Sequence, residues 1–168
     1  MNNELAVWLA MRTKFEFPLS EEVHVLVLGN NPAELNHLSK ALNEIPGKRI
    51  ITEIAFDLRT LFDRLPGFDP NFILIDDNVG KSELRDSVRA LHRYRKTKRI
   101  PITVLKNSNY QEAVSNGVMN FVLKENLTGQ SLYQALKNSS KFRQTQRYLS
   151  RAYRKRKGQF SRLLKTDW

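Results

Sequence analysis

The chain has 168 residues, no cysteine and a net charge of +11, from 28 Lys and Arg against 17 Asp and Glu. That length suits one ordinary domain with appended segments, and the lack of thiols excludes disulfides and thiolate metal sites and fits a reducing, cytoplasmic setting. No run approaches the ~18 apolar residues of a membrane span, "MNNELAVWLAMRTKFEF" lacks the basic region and apolar core of a signal peptide, and His24, His37 and His92 show no metal-ligand spacing.

In chain order, "ELAVWLAMR" predicts a helical strap with Leu5, Trp8 and Leu9 on one face, ended by Pro18, so residues 1–21 read as an N-terminal extension. "VHVLVLG" (23–29) is a continuous β-branched and leucine run. "NPAELNHLSKALNEI" follows, with Leu35, Leu38 and Leu42 at helical spacing behind Pro32. Next come "RIITEIAF" as a strand, "LRTLFDRL" as a helix and "NFILID" as a strand. "SELRDSVRALHRYRK" is a helix with Leu84, Val88, Leu91 and Arg95 on a four-three-four rhythm. "IPITVLK" is the fourth strand, "NYQEAVSNG" a short helix and "NFVLK" the fifth strand. "LTGQSLYQALKNS" opens the last helix, with Leu132 and Leu136 one turn apart. Five β-α units with short connections predict an α/β, doubly wound, five-stranded parallel sheet covered on both faces.

In such sheets ligands sit beyond the carboxyl ends of the strands. Those ends read Gly29-Asn30-Asn31 on the first strand, Asp76-Asp77 on the third, Lys106-Asn107 on the fourth and Lys124-Glu125 on the fifth. Asp76 therefore stands where this architecture places its sites, although a strand simply meeting solvent also ends in polar residues. Gly29 has no G-x-G-x-x-G around it, and neither a Walker-type loop nor a G-x-S-x-G elbow is present. No serine and histidine cluster as nucleophile and base.

Over residues 22–140 the sequence resembles the receiver domain of bacterial two-component response regulators. "NFILIDDNVG" is similar to the family's phosphoacceptor strand, with Asp76 at the phosphorylated aspartate. "EAVSNGVMNFVLKEN" resembles the stretch around the fifth strand, with Gly117, the aromatic Phe121 and Lys124 at the lysine position. "RIPITVLK" and "VLVLGNNPAEL" resemble the fourth strand with Pro101 and the first strand with Pro32. The resemblance implies a flavodoxin-like fold and a non-enzymatic role in phosphorelay signalling.

The departures bear on mechanism. The family's two acidic residues after the first strand, which help to hold magnesium, are Gly29 and Asn30 here. The hydroxyl residue ending the fourth strand is Lys106, and the proline after the fifth-strand lysine is Glu125. Aspartyl phosphorylation needs a carboxylate nucleophile and neutralisation of phosphoryl charge by a metal and a lysine. Magnesium wants hard oxygen ligands, normally including carboxylates. A unit charge pair at ~4 Å is worth about 4 kcal/mol at an effective dielectric of about 20, so losing the acidic pair weakens the metal by orders of magnitude. Asn30 and the Asn78 carbonyl still offer oxygens. The resemblance thus implies no cofactor, or weakly bound magnesium. Lys106 and Lys124 together would place two ammonium groups near Asp76, a site locked rather than switched.

Residues 141–168 hold ten Lys or Arg against one Asp, so most of the net charge lies in this tail. Phe142, Leu149, Tyr153, Phe160 and Leu163 fall near a helical period, with Arg147, Arg151, Arg154, Lys155, Arg156 and Lys157 around them, and Gly158 marks an interruption. Three readings of the tail stand: a solvated basic extension, a surface for a protein partner or a second copy, or a binder of nucleic acid or an anionic membrane. It is too short for a helix-turn-helix domain. The expectation is an atypical stand-alone receiver acting on a signalling protein, such as a histidine kinase. The alternative is a DNA-associated regulator whose tail supplies affinity.

Overall fold

The structure, a computed structural model, describes residues 22–107, 118 and 120–163, except the side chains of 126 and 158–163. The expected N-terminal strap and the short helix over 109–117, with Gly117, lie outside the described residues. Strands β1 (Glu22–Leu28), β2 (Arg49–Ala55), β3 (Phe72–Asp76), β4 (Ile102–Lys106) and β5 (Asn120–Leu123) form one sheet in the order β2-β1-β3-β4-β5. Every pairing is parallel. Helices α1 (Pro32–Asn43), α2 (Leu58–Phe68), α3 (Lys81–Arg93) and α4 (Gly129–Leu163) complete the fold, with single 3-10 turns at Asp77–Val79 and Lys124–Asn126.

Alternating side chains send each strand's residues to two separate cores. Val23, Val25, Val27, Leu74 and Leu105 pack with Leu35, Leu38 and Leu42 of α1 and Leu132 and Leu136 of α4. Leu26, Leu28, Ile73, Ile75 and Val104 pack with Leu61 and Leu65 of α2 and Leu84, Val88 and Leu91 of α3. All five residues of β3 are buried, as a central parallel strand requires. The close seat of α4 on α1 depends on Gly129, where a Cβ would lie 2.9 Å from the Ala41 carbonyl oxygen.

Three helix ends differ from the sequence expectation. Helix α2 runs past Leu65 to Phe68, because Phe68 is buried and stacks on the His24 ring, with centroids 5.1 Å apart. Asp69 then stops it in the left-handed conformation. Helix α3 ends at Arg93 rather than Lys96. Tyr94 turns extended, and the buried Thr97 hydroxyl donates to the Leu91 carbonyl at 2.7 Å, satisfying a helix-end acceptor. Helix α4 continues through Gly158 to Leu163. A lone helix-interior glycine costs about 1 kcal/mol against alanine, which the helix tolerates.

Helix α4 is unbroken across residue 141, and past that residue it reaches the body through hydrogen bonds. Arg143 Nε donates to the Arg99 carbonyl at 3.1 Å and Arg143 Nη2 to the Lys98 carbonyl, while Arg147 reaches Arg99 O at 3.3 Å. Phe142, Leu149 and Tyr153 stay exposed, so these three residues of the apolar stripe do not dock on the body, while the side chains of Phe160 and Leu163 lie outside those described.

Candidate functional site

The strand order reverses between β1 and β3, and there the carboxyl ends open a cleft of about 420 Å³ lined by Glu34, His37, Asp76, Asn107, Lys124 and Glu125, among others. Asp76 ends β3 and is only 2 % exposed. One carboxylate oxygen, Oδ1, accepts the Asn78 N–H at 2.8 Å, which caps the 3-10 turn that follows. The same oxygen meets Lys124 Nζ at 2.5 Å. Lys124 opens the turn after β5, two strands from β3 along the same carboxyl edge of the sheet.

Lys124 is shared. Its ammonium also lies 2.6 Å from Glu34 Oε2 and 3.4 Å from Asp77 Oδ1. Glu34 sits in the first turn of α1, and its other oxygen accepts from Asn31, the residue whose side chain caps that helix through Ala33 N–H. Three carboxylates therefore face one ammonium, and the proton affinities follow. Burial raises the Asp76 carboxyl above its ordinary range, and the Lys124 and Asn78 hydrogen bonds only partly oppose it; the nearby Glu34 charge adds to the rise. The Lys124 hydrogen bond holds Glu34, at the wetter side of the cluster, below the ordinary range. Burial by itself would lower Lys124, but its hydrogen bonds to Asp76 and Glu34 outweigh that and the ammonium is raised.

The positions expected to hold magnesium do not supply its ligands. Gly29 is buried, and a Cβ there would come 2.7 Å from Leu35 Cδ2 and 3.2 Å from Asp76 Cβ. Leu35 belongs to the core, so this corner has no room for a carboxylate side chain. Asn30 donates its amide N–H to the Asn78 carbonyl at 3.1 Å. Since a carbonyl can only accept, the Asn30 nitrogen, not its oxygen, faces that spot. The Asn78 carbonyl is thus already engaged, and Lys124 is bonded to Asp76 Oδ1. Among the described residues no group of three His, Cys, Asp or Glu could hold a metal ion. The donor set does not fit magnesium as it stands.

Lys106, the other lysine expected at Asp76, lies instead with Nζ 4.8 Å from the centroid of the Phe121 ring. Strand alternation is the reason. Lys106 follows the face of Val104, whereas Asp76 follows that of Leu74, and those two residues belong to opposite cores. Phe121 is exposed on β5, and such a cation–π contact contributes about 0.5–1 kcal/mol at an open site. The structure therefore brings Lys124, and not Lys106, to Asp76.

The next residue, Asn107, has a part that sequence reading missed. Its backbone N–H donates to Asp77 Oδ2 at 3.0 Å, and its side-chain amide to Asp77 Oδ1 and Asn78 Oδ1 at 3.0 and 2.6 Å. Asn107 ties the end of β4 to the turn after β3 and fixes Asp77 beside Lys124. Glu34 was missed too. The only signal for it is an acid in the first turn of a helix opening at the carboxyl edge, which reads equally as a favourable helix-end charge.

No family model matches the chain, and no curated protein matches it in sequence. Solved structures do share its architecture. A chemotaxis response regulator of Vibrio cholerae superposes with a TM-score of 0.56 at 21% identity, over 70% of this chain and 98% of its own. The receiver domain of a sensor histidine kinase from Pseudomonas aeruginosa, with a magnesium ion coordinated in its active-site cleft, gives 0.60 at 15%, over 71% and 98%. The receiver domain of a signal transduction histidine kinase from Syntrophus aciditrophicus gives 0.58 at 19%, over 70% and 89%. The chain has a receiver-type fold. At these identities the likeness is one of fold, and within it Asp76 keeps the end of the central strand while the receiver-type cleft holds a lysine ammonium among carboxylates.

Of the tail residues singled out in the sequence, Arg147, Arg151, Arg154, Lys155, Arg156 and Lys157 are all exposed on α4. Among the described residues no helix is long and apolar enough to cross a membrane.

Proposed function

We propose that this chain is an atypical receiver-type signalling module that works in phosphorelay signal transduction through protein contacts and has impaired magnesium-dependent phosphorylation at Asp76. It performs no catalysis of its own, binds magnesium weakly and meets its signalling partner, of which a histidine kinase is one kind, in the cytosol. One observation supports this reading above the rest: the Lys124 ammonium sits 2.5 Å from Asp76 and 2.6 Å from Glu34, while Gly29 and Asn30 leave a metal without its usual acidic pair. A carboxylate attacking a phosphoryl group needs that group's charge neutralised as the bond forms. Here the available cation is already satisfied by carboxylates, and the attacking group is buried and raised in proton affinity. The cleft resembles a state held constant, so a partner would read the surface around it rather than its phosphorylation.

The test is incubation with acetyl phosphate and magnesium, followed by intact-mass measurement and acid-labile phosphate assay. The expected outcome is no stable gain of a phosphoryl group. A stoichiometric, magnesium-dependent gain that disappears in Asp76→Asn would make this an ordinary phosphorylated receiver.

A further inference from the structure

A second constellation lies at the opposite, amino edge of the sheet and is independent of the Asp76 cluster. The turn between α3 and β4 is internally bonded: Thr97 is buried, Lys98 N–H bonds to Tyr94 O at 2.9 Å, and Ile100 N–H bonds to Thr97 O at 2.8 Å. This turn presents Lys98 and Arg99 toward α4. Facing them are Arg143, Arg147, Arg151 and Arg154, at steps of four, four and three residues and therefore on one side of the helix. Between turn and helix run two adjoining clefts of about 480 and 370 Å³ that share Arg99, Arg143 and Arg147. No carboxylate lines either cleft among the described residues.

Six cations on a concave surface with no acid among them repel one another. Burial lowers the proton affinity of Arg143, and the charges of Arg147 and Arg99 lower it further. Compensation comes from the backbone carbonyls of Lys98 and Arg99, which receive Arg143 and Arg147. An anion seated in the groove would relieve the remaining repulsion, and guanidinium forks match phosphate oxygens in pairs.

We propose that this groove, formed by Lys98 and Arg99 of the turn with Arg143, Arg147, Arg151 and Arg154 of α4, binds the phosphate backbone of a nucleic acid. The shape of the array selects this occupant. From Arg143 to Arg154 the helix rises about 16 Å, several times the roughly 3.4 Å axial rise per phosphate of one DNA strand, so the row is long enough to meet more than one phosphate of a backbone. A single small anion would leave most of the row unused. A lipid surface suits it poorly as well. The six cations line a concave groove between the turn and the helix, with Arg143 only half-exposed inside it, whereas a bilayer meets the outward face of a helix lying in its surface. The body also takes part, because the turn supplies two of the six cations. That separates a built groove from a merely cationic tail.

The test is fluorescence anisotropy of a short labelled DNA duplex with the full chain, titrated across salt concentration. Lys98→Gln with Arg99→Gln removes the body's share but keeps the backbone carbonyls that hold α4, so the fold is retained. Arg151→Gln with Arg154→Gln removes the exposed helix share. Lys155→Gln with Arg156→Gln removes equal charge from the same helix outside the groove. The groove predicts that each of the first two pairs weakens binding by about tenfold at low salt and flattens the salt slope by about one to two, whereas the third changes affinity by less than about threefold. Equal losses for all three pairs, or no effect of the Lys98/Arg99 pair, would reduce the effect to general tail charge and overturn the groove. The proposal also fails if the duplex does not bind at low salt, whether or not phosphatidylserine vesicles do.

Discussion

Because three carboxylates share one ammonium at the carboxyl edge, removing the ammonium and removing a carboxylate should move stability in opposite directions. Lys124→Ala strands the buried Asp76 against Glu34 and Asp77. Breaking a buried pair from one side costs about 3–5 kcal/mol, and the solvent beside Glu34 places this case at about 3 kcal/mol or below at neutral pH. The loss should shrink in acid as Asp76, already raised by burial, takes up a proton. Asp76→Asn behaves otherwise. A carboxyl whose folded proton affinity is raised adds stability only as pH falls through its folded value, so at neutral pH the charged form is a liability relative to a neutral amide. Asn also keeps an acceptor for the Asn78 N–H. The variant should be within about 1 kcal/mol of the parent or more stable at neutral pH, and relatively less stable in acid. Urea denaturation at neutral and acidic pH measures both; equal losses in the two variants at neutral pH would show that the pair stabilises from both sides. Asp76 and Lys124 were legible in the sequence because they fall at the carboxyl ends of the third and fifth apolar runs, where the chain resembles a receiver domain. Glu34 was not, because its approach depends on how α1 leaves β1, a geometry set by the Asn31 cap and the tight corner at Gly29.

At the scale of elements, the strands were readable and the helix ends were not. Buried runs such as Phe72–Ile75 advertise themselves by composition. The end of α3 does not, because Thr97 closes it by placing its hydroxyl on the Leu91 carbonyl. That contact joins residues six apart through a turn, which no apolar period announces. The same limit hid the polar docking of α4, where Arg143 and Arg147 reach backbone carbonyls more than forty residues away in sequence. This docking leads to a prediction about the boundary drawn at residue 140. A chain ending after residue 140 keeps Leu132, Ala135, Leu136 and the buried Ser139–Thr103 hydrogen bond, so it should still unfold cooperatively. It loses the Arg143 and Arg147 contacts, and hydrogen bonds made by charged groups contribute about 1.5–3 kcal/mol when well formed and less where solvent competes. A loss of about 1–2 kcal/mol is therefore expected. A chain ending after residue 148 keeps both arginines and should match the parent. Chemical denaturation of the two truncations decides it: a shorter chain that cannot fold would place α4 beyond residue 140 within the core.

For the whole molecule, the sheet order brings the ends of β1, β3 and β5 to one rim, and the chemistry there depends on which cation occupies it. The parallel sheet and its carboxyl-edge site followed from the alternation of apolar strands and helices, since that pattern admits few topologies. The state of the site did not follow, because it rests on the Asn30 amide facing the Asn78 carbonyl and on the crowding of Gly29 against Leu35. These two positions also respond differently to restored acid. Gly29→Asp forces a side chain against the core, and overpacking of this kind costs about 1–3 kcal/mol. Asn30→Asp is at an exposed position, fits without a clash and replaces an N–H donor by an oxygen beside the Asn78 carbonyl. The most direct measurement is a magnesium titration followed by the backbone amide resonances of Asp77, Asn78 and Lys124, in the parent and in Asn30→Asp. If Lys124 stands in for the metal, the parent resonances move little and do not saturate at physiological magnesium, while those of Asn30→Asp do. Saturation of the parent at low magnesium, with Asn30→Asp no tighter, would contradict the account.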